Sequence, residues 1–392
     1  MLHALMTGAT IVLAARRAPA NTDVVVLSDG RSVGMGGVGV ALNETGSAPF
    51  QNPAGLGAVR SFTGTATFTP VVSRVWAPFP DPVTGQPATR TSTTVLAPLG
   101  LLGAGVRVHE RVVIGLTAFL TAGSGAEFRG AVPGYETKVL AVAGEAQIPV
   151  AINVTDRLSL GAAYRITAGE LQSNLPVSPA PGAPPIATST TLSGVDGKGF
   201  VLGARYRLTD HVKLGVAYRN EVTVNVSGQA KSGDIPLPGG DVHQQVSLPH
   251  TFKLGGAFSL LGDRLTLAAD VMYWLYSDSH PADATAGRPE AWKNAILGLA
   301  GAEYLLTSRV PLRIGGNVGS SATSDGSASP FVPAPGVNIG ATVGSGIRFD
   351  QFDVDYAAGY AAQLGKTIAS GPTAGTYGGA SVMFCASVTY RL

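Results

Sequence analysis

The feature that most constrains this chain is a period of two. In the last segment Val382, Phe384, Ala386, Val388, Tyr390 and Leu392 alternate with Met383, Cys385, Ser387, Thr389 and Arg391. An extended backbone puts the first set on one apolar face and the second on a mixed or polar one. Val212, Leu214, Val216, Tyr218, Val222, Val224 and Val226 are set in the same way against Lys213, Arg219, Glu221, Thr223 and Asn225, and Leu158, Leu160, Ala162, Tyr164 and Ile166 against Ser159, Arg165 and Thr167. Alternation specifies strands but not their surroundings. A soluble sandwich turns the apolar face into a core, whereas a membrane barrel turns it toward lipid and the charged face toward a lumen.

Segment length and connections decide between the two. The alternating segments run about ten residues or more, long for a soluble strand and suited to a tilted strand crossing a bilayer. Tyr164, Tyr206, Tyr218, Tyr304 and Tyr390 sit near the ends of apolar faces, where an interfacial girdle belongs. Short polar turns at His109-Glu110, Thr155-Asp156, Thr209-Asp210, Gly262-Asp263, Thr307-Ser308 and Asp350-Gln351 alternate with longer stretches rich in Pro, Gly and Ser: 78–90, 123–133, 172–197, 229–241, 277–289, 321–335 and 366–376. Such sorting corresponds to about fourteen antiparallel strands with both termini on the periplasmic side. After the first twenty residues no apolar run approaches the ~20 residues of a membrane helix, so a membrane-spanning fold must be a closed barrel. The expected fold is therefore all-β, a transmembrane antiparallel β-barrel of about fourteen strands with an N-terminal hatch. The expected division is a signal peptide over residues 1–20, the hatch over 21–60 and the barrel over 61–392.

The signal reading rests on an apolar stretch from Ala4 to Ala15 and the small-residue exit Ala18-Pro19-Ala20, although Arg16 and Arg17 follow the apolar core rather than precede it. A formal net charge of +2 over 392 residues gives no reason to expect nucleic acid or another polyanion as partner. The single cysteine, Cys385, excludes an internal disulfide and a multi-cysteine metal site. His109, His211, His243, His250 and His280 are scattered, none with a serine and carboxylate in a catalytic arrangement. No catalytic residue, metal or cofactor is therefore expected, and the chain reads as a non-enzyme.

Ahead of the first strand lies a stretch that does not alternate, from Asp29 through Gly34, Gly36, Gly37 and Gly39 to Asn52-Pro53-Ala54-Gly55-Leu56. Its glycine density permits close backbone approach inside a lumen. Asn52 reads as a cap with Pro53 at the first helical position. Gly-Met-Gly-Gly at 34–37, a following Val-Ala, a polar stretch and then Asn-Pro-Ala-Gly-Leu resemble the plug of the FadL type of outer-membrane long-chain fatty-acid and toluene transporters. Leu248-Pro249, Asp270-Val271 with Trp274, and Trp292-Lys293 ahead of Leu299-Ala300-Gly301-Ala302-Glu303-Tyr304 agree with it in order.

The resemblance implies a bacterial outer-membrane barrel, a monomer among outer-membrane lipid and lipopolysaccharide. It would take up hydrophobic small molecules, long-chain fatty acids or aromatic hydrocarbons, by diffusion past a hatch that includes Gly34, Gly36, Gly37, Asn52, Pro53 and Ala54. It also implies a lateral opening at a kinked third strand, for which Gly123 and Gly125 are the candidates. Arg165, Arg205, Arg207, Arg219 and Arg313 fall on the inward register, available to a carboxylate ligand or to pairing with Glu221, Glu303, Asp270, Asp353 and Asp355. The stretches 172–197 and 229–241 lack the apolar helical character of the outer loops that gather ligand in that family. Because barrels that serve secretion systems carry a similar plug motif, the alternative is a porin-like channel or a scaffold barrel for export.

Overall fold

A computed structural model describes residues 28–81, 83–178, 184–276 and 292–392. The stretch 1–20 read as a signal peptide, His280 and the connection 277–289 lie outside the described residues. The strands are Phe62–Pro80 (β1), Pro87–Thr91 (β2), Val95–His109 (β3), Val112–Val132 (β4), Tyr135–Asn153 (β5), Leu158–Val177 (β6), Ile186–Arg207 (β7), Val212–Arg219 (β8) and Val222–Ser232 (β9). They continue with Ile235–Leu248 (β10), His250–Leu260 (β11), Leu265–Leu275 (β12), Ala295–Leu305 (β13), Pro311–Ser320 (β14), Val337–Arg348 (β15), Phe352–Ile368 (β16) and Gly375–Arg391 (β17).

Each neighbouring pair is antiparallel, and β17 returns to β1 from Thr63 opposite Arg391 to Trp76 opposite Gly378, which closes the sheet. The junctions β2/β3, β8/β9 and β10/β11 are breaks within single strands, so the segments make a barrel of fourteen strands. Closure of β17 on β1 leaves neither terminal strand with an unpaired edge in lipid. All six short turns read from the sequence fall between consecutive strands at one end of the barrel.

The longer connections differ from the sequence expectation. Residues 123–132 lie within β4, and most of 172–197 and 229–241 is strand, whereas 321–336 is free of strand as expected. Pro, Gly and Ser are loop signals in a sequence, but β4 to β7 run 21, 19, 20 and 22 residues. A bilayer needs about 9–11, so their distal halves are paired ribbon standing in water, where small and polar residues suit the outer face. In β6 the outward row passes from Leu160, Ala162, Tyr164, Ile166 and Ala168 to Glu170, Gln172 and Asn174, while the inward row passes from Arg165 to Leu171.

A second departure is at Asn220-Glu221. The alternation runs in phase from Val212 to Val226, as if on one face. In the structure Leu214 and Val216 face outward, whereas Val222, Val224 and Val226 are buried inside. Asn220 makes the inversion possible by standing in for the interrupted ladder: its Oδ1 accepts from Phe200 N at 2.6 Å and its Nδ2 donates to Glu221 O at 2.8 Å. The inverted valines join Val139, Leu171, Leu192 and Val246 in an apolar cluster in the distal lumen.

Candidate functional site

Residues 28–60 lie inside the barrel and are almost wholly buried. Asp29 caps the helix Gly30–Gly34 (α1) by accepting from Ser32 N at 2.9 Å, and Gly36 and Gly37 then turn the chain at φ of 79° and 98°, which glycine adopts without strain. A second short helix, Ala48–Gln51 (α2), leads to a 3₁₀ turn over Pro53–Ala58, with Asn52 accepting from Ala54 N at 3.0 Å as the cap expected from the sequence. Asn52 also donates to Val40 O at 2.9 Å and to Ala204 O of β7 at 3.0 Å, so it joins the hatch to the wall.

The wall is shaped to receive this segment. A Cβ built on Gly161, Gly203, Gly215, Gly301 or Gly315 would stand 2.1–2.4 Å from hatch atoms: Ala54 N, Asn52 Oδ1, Val40 O, Met35 O and Gly36 N respectively. No side chain fits at those positions. The recurring Leu-Gly pairs at Leu160-Gly161 and Leu214-Gly215 therefore have a local cause: leucine faces lipid while glycine makes room for the plug.

Polar anchors complete the seat. Asp270 Oδ2 accepts from Gly39 N at 2.7 Å and Val40 N at 3.0 Å. Thr342 Oγ1 accepts from Gly36 N at 2.9 Å, and Ser387 Oγ from Gly30 N at 2.9 Å. Glu303 meets Arg31 of the hatch at 2.8 Å and the wall residues Arg313 and Arg348 at 2.7 and 2.9 Å. Burial lowers the Arg31 pKa, and the adjacent Glu303 carboxylate more than reverses this, leaving it above the usual value. Burial likewise pushes the Glu44 carboxyl up, but Arg205 at 2.8 Å and Lys213 at 2.6 Å outweigh it and hold the group at about 2.

Four of the five arginines singled out in the sequence are thus held by carboxylates. Arg165 and Arg219 share Glu145 at 2.8 and 2.7 Å, Arg313 bridges Glu303 and Asp355, and Arg205 binds Glu44. Arg207, expected on the inward register, is exposed at the end of β7 and donates to Asp156 O at 2.7 Å. Asp270 serves hatch amides rather than an arginine, and Glu221 faces His250 at 3.8 Å. Sequence reasoning missed Glu145 and Glu44. Glu145 alternates on the inward register of β5 and was legible there, whereas Glu44 lies in a segment without periodicity.

Above the hatch the wall opens on one side. The β3–β4 ladder runs up to Leu101 opposite Phe119 and ends there. The next contact is Thr93 N donating to Glu127 O at 2.8 Å, in the same register. Between them residues 94–100 and 120–126 face each other without a ladder, a gap of roughly 20 Å along the strands at 3.3 Å per residue. Gly123 and Gly125 remain paired to Val142 and Leu140 of β5, where β4 carries a register shift between Leu120 and Ala122. The interruption is therefore on the β3 side, and the shift is the local bend that accompanies it.

Leu99 and Leu120 border the gap from within, in a cluster with Val71, Met383, Cys385 and Val33 of the hatch. At its lower rung Phe119 meets Phe50 of the hatch edge-on, centroids 4.9 Å apart. The loop 321–336 folds across the distal mouth, its Phe331 against Phe79 and Phe128 at 6.4 and 5.9 Å. Lys366 ties the loop down through Asp325 at 2.6 Å. Among the described residues no group of three or more His, Cys, Asp or Glu is placed to hold a metal.

The comparisons agree with this geometry. The sequence profile of the family described as "Outer membrane protein transport protein (OMPP1/FadL/TodX)" matches residues 11–391. Among solved structures, a Pseudomonas aeruginosa FadL homologue superposes with a TM-score of 0.69 at 18% identity, over 93% of this chain and 98% of that one. The P. putida toluene transporter TodX gives 0.70 at 16% identity over 94% and 99%, and the Ralstonia pickettii toluene transporter TbuX 0.67 at 18% over 94% and 99%. At these identities the superpositions speak for the fold. No curated protein sequence matches.

Proposed function

We propose, for a chain that belongs to the OMPP1/FadL/TodX family of outer membrane transport proteins, that it admits uncharged or weakly polar hydrophobic small molecules by diffusion and releases them sideways into the membrane. Transport of hydrophobic compounds across the bacterial outer membrane is the business of the family. The observation that carries the finer reading is the lapse of the β3–β4 ladder beside an apolar interior, directly above a seated hatch. A molecule entering past the loop around Phe331 would meet the apolar cluster of Val224, Val226, Leu171 and Leu192, then Leu99 and Leu120 at the gap. Leaving sideways keeps it in apolar surroundings, whereas passage downward would need displacement of Phe50 and the glycine-seated backbone below. Rearrangement near 34–39 or 52–55 would follow ligand arrival rather than an energy supply.

Arg165, Arg205, Arg219 and Arg313 are engaged by carboxylates, which favours neutral ligands, and proteins of similar structure include a toluene transporter and a monoaromatic hydrocarbon channel. Aromatic hydrocarbons are therefore the first probes, with long-chain fatty acids the comparison. The chain is proposed to act as a monomer embedded in outer-membrane lipid and lipopolysaccharide. Bridging Leu99→Cys to Leu120→Cys with a short bis-maleimide, in a Cys385→Ser background, should stop uptake of radiolabelled toluene by cells and leave the folded barrel intact. Undiminished uptake would refute lateral release. Steady large conductance of the unmodified protein in planar bilayers would instead favour the porin reading, and co-purification with one fixed protein partner the export scaffold.

A further inference from the structure

The outer surface beside the gap is not a plain wall. A hollow of about 640 Å³ opens on the lipid side where β1, β15, β16 and β17 meet. Phe68, Tyr356 and Phe384 stand around it, each more than half exposed, and Ala358 and Ala386 form its floor. Its lining carries no charged residue.

Strand register connects the hollow to the gap. One outward row runs from Tyr356 to Ala386 to Phe68 to Gly100, each step a paired position. The next row up runs from Ala358 to Phe384, whose register neighbour in β1 is Pro70, and Pro70 pairs with Pro98. Gly100 and Pro98 are on the β3 border of the gap, and neither raises a long side chain between opening and hollow. The hollow reaches Pro70 in β1, whose partner Pro98 borders the gap, so an apolar molecule emerging between β3 and β4 lies one strand from it.

We propose that this recess is a binding site on the membrane face for the transported apolar molecule, an exit-side station that holds it between the gap and the bilayer. The inference rests on the lateral-release reading above. Its chemistry is that of an alkylbenzene or a comparable neutral hydrocarbon: aromatic edges to pack against, no charged group to satisfy, and volume within the range of small-molecule sites. The occupant is the transported molecule because the recess begins one strand from the gap, at Pro70 beside Pro98. A phospholipid acyl chain is the competing occupant.

The test uses intact cells producing the full-length protein, pulsed briefly with an alkylbenzene that carries a diazirine, photolysed, and mapped by mass spectrometry. Adducts should concentrate on Phe68, Tyr356 and Phe384. The double substitution Ala358→Trp with Ala386→Trp should lower them about tenfold, as expected when burial worth one aromatic contact is lost, while adducts on interior Leu99 and Met383 persist and report a folded, loaded barrel. The Leu99–Leu120 bridge should abolish the outer adducts after a short pulse. A phosphatidylethanolamine with a diazirine in its acyl chain should label the rim no more than it labels Leu254 and Phe258 elsewhere on the wall.

Outer adducts that survive the bridge while uptake stops would show that the recess fills from the bilayer, overturning the station and sparing lateral release. Uptake that survives the bridge would remove both. Alkylbenzene adducts spread evenly over the lipid-facing wall would overturn the station alone.

Discussion

Replacing Asp270 with alanine should loosen the hatch and spare the barrel. The carboxylate is 3% exposed, and one of its oxygens accepts the amides of both Gly39 and Val40, at 2.7 and 3.0 Å. Alanine leaves both N–H groups buried without an acceptor, at about 1–3 kcal/mol each, so local opening of residues 36–42 becomes easier by about 2–6 kcal/mol. At about 1.4 kcal/mol per decade, amide exchange in that segment should accelerate between ~30-fold and ~10⁴-fold, toward the lower end if water enters the vacated space. Asp270→Asn keeps a carbonyl acceptor and loses only the charge assistance, so roughly tenfold is expected. Hydrogen exchange followed by mass spectrometry in detergent reads both. The reasoning fails if hatch peptides exchange at the parent rate, or if β12 and β13 accelerate in step with them, because Asp270 would then be supporting the wall.

Other expectations follow from the same contacts. Gly301→Ala places a Cβ 2.2 Å from Met35 O, so the hatch must shift, and transient conductance events absent from the parent should appear in planar bilayers. Arg165→Ala leaves the fully buried Glu145 with Arg219 and the Gln147 amide and should destabilise the barrel by about 2–4 kcal/mol in urea unfolding, without changing uptake of a neutral hydrocarbon by the folded protein. The Glu44 pairs contribute stability above the unfolded carboxylate pKa of about 4.5 that is lost as pH falls through about 2. Pepsin should therefore begin to cut within the hatch only below about pH 4, and Glu44→Gln should remove that threshold.

The barrel was legible because its signal repeats: each strand restates the period of two, and the polar turns between them mark one end. Two features escaped that logic for physical reasons. The face of Val222, Val224 and Val226 cannot be read from alternation, since Asn220 and Glu221 invert the ribbon while the sequence stays in phase. The distal hairpins resemble loops in sequence because small and polar residues serve equally well on a strand whose outer face meets water. The hatch motif was visible in Gly34 to Gly37 and Asn52 to Ala54, whereas its seat, scattered from Gly161 to Gly315, takes shape only once the strands lie side by side. Gly123 and Gly125, the residues that the sequence offers for the kink, lie on the β4 border of the gap and keep their β5 partners, while on the facing border of β3 Pro98 has no N–H to donate.

The notches left by the inward glycines bear on what this architecture could become. With its stopper excised, the cylinder would present a belt of naked peptide groups to the interior, cast in the shape of a missing partner, beside wall charges such as Glu303, Asp270 and Lys213 stripped of the contacts that the stopper gives them. Changing such a protein into an open channel would require resurfacing its inner girth, so shedding the N-terminal segment is not by itself a short path to a general pore.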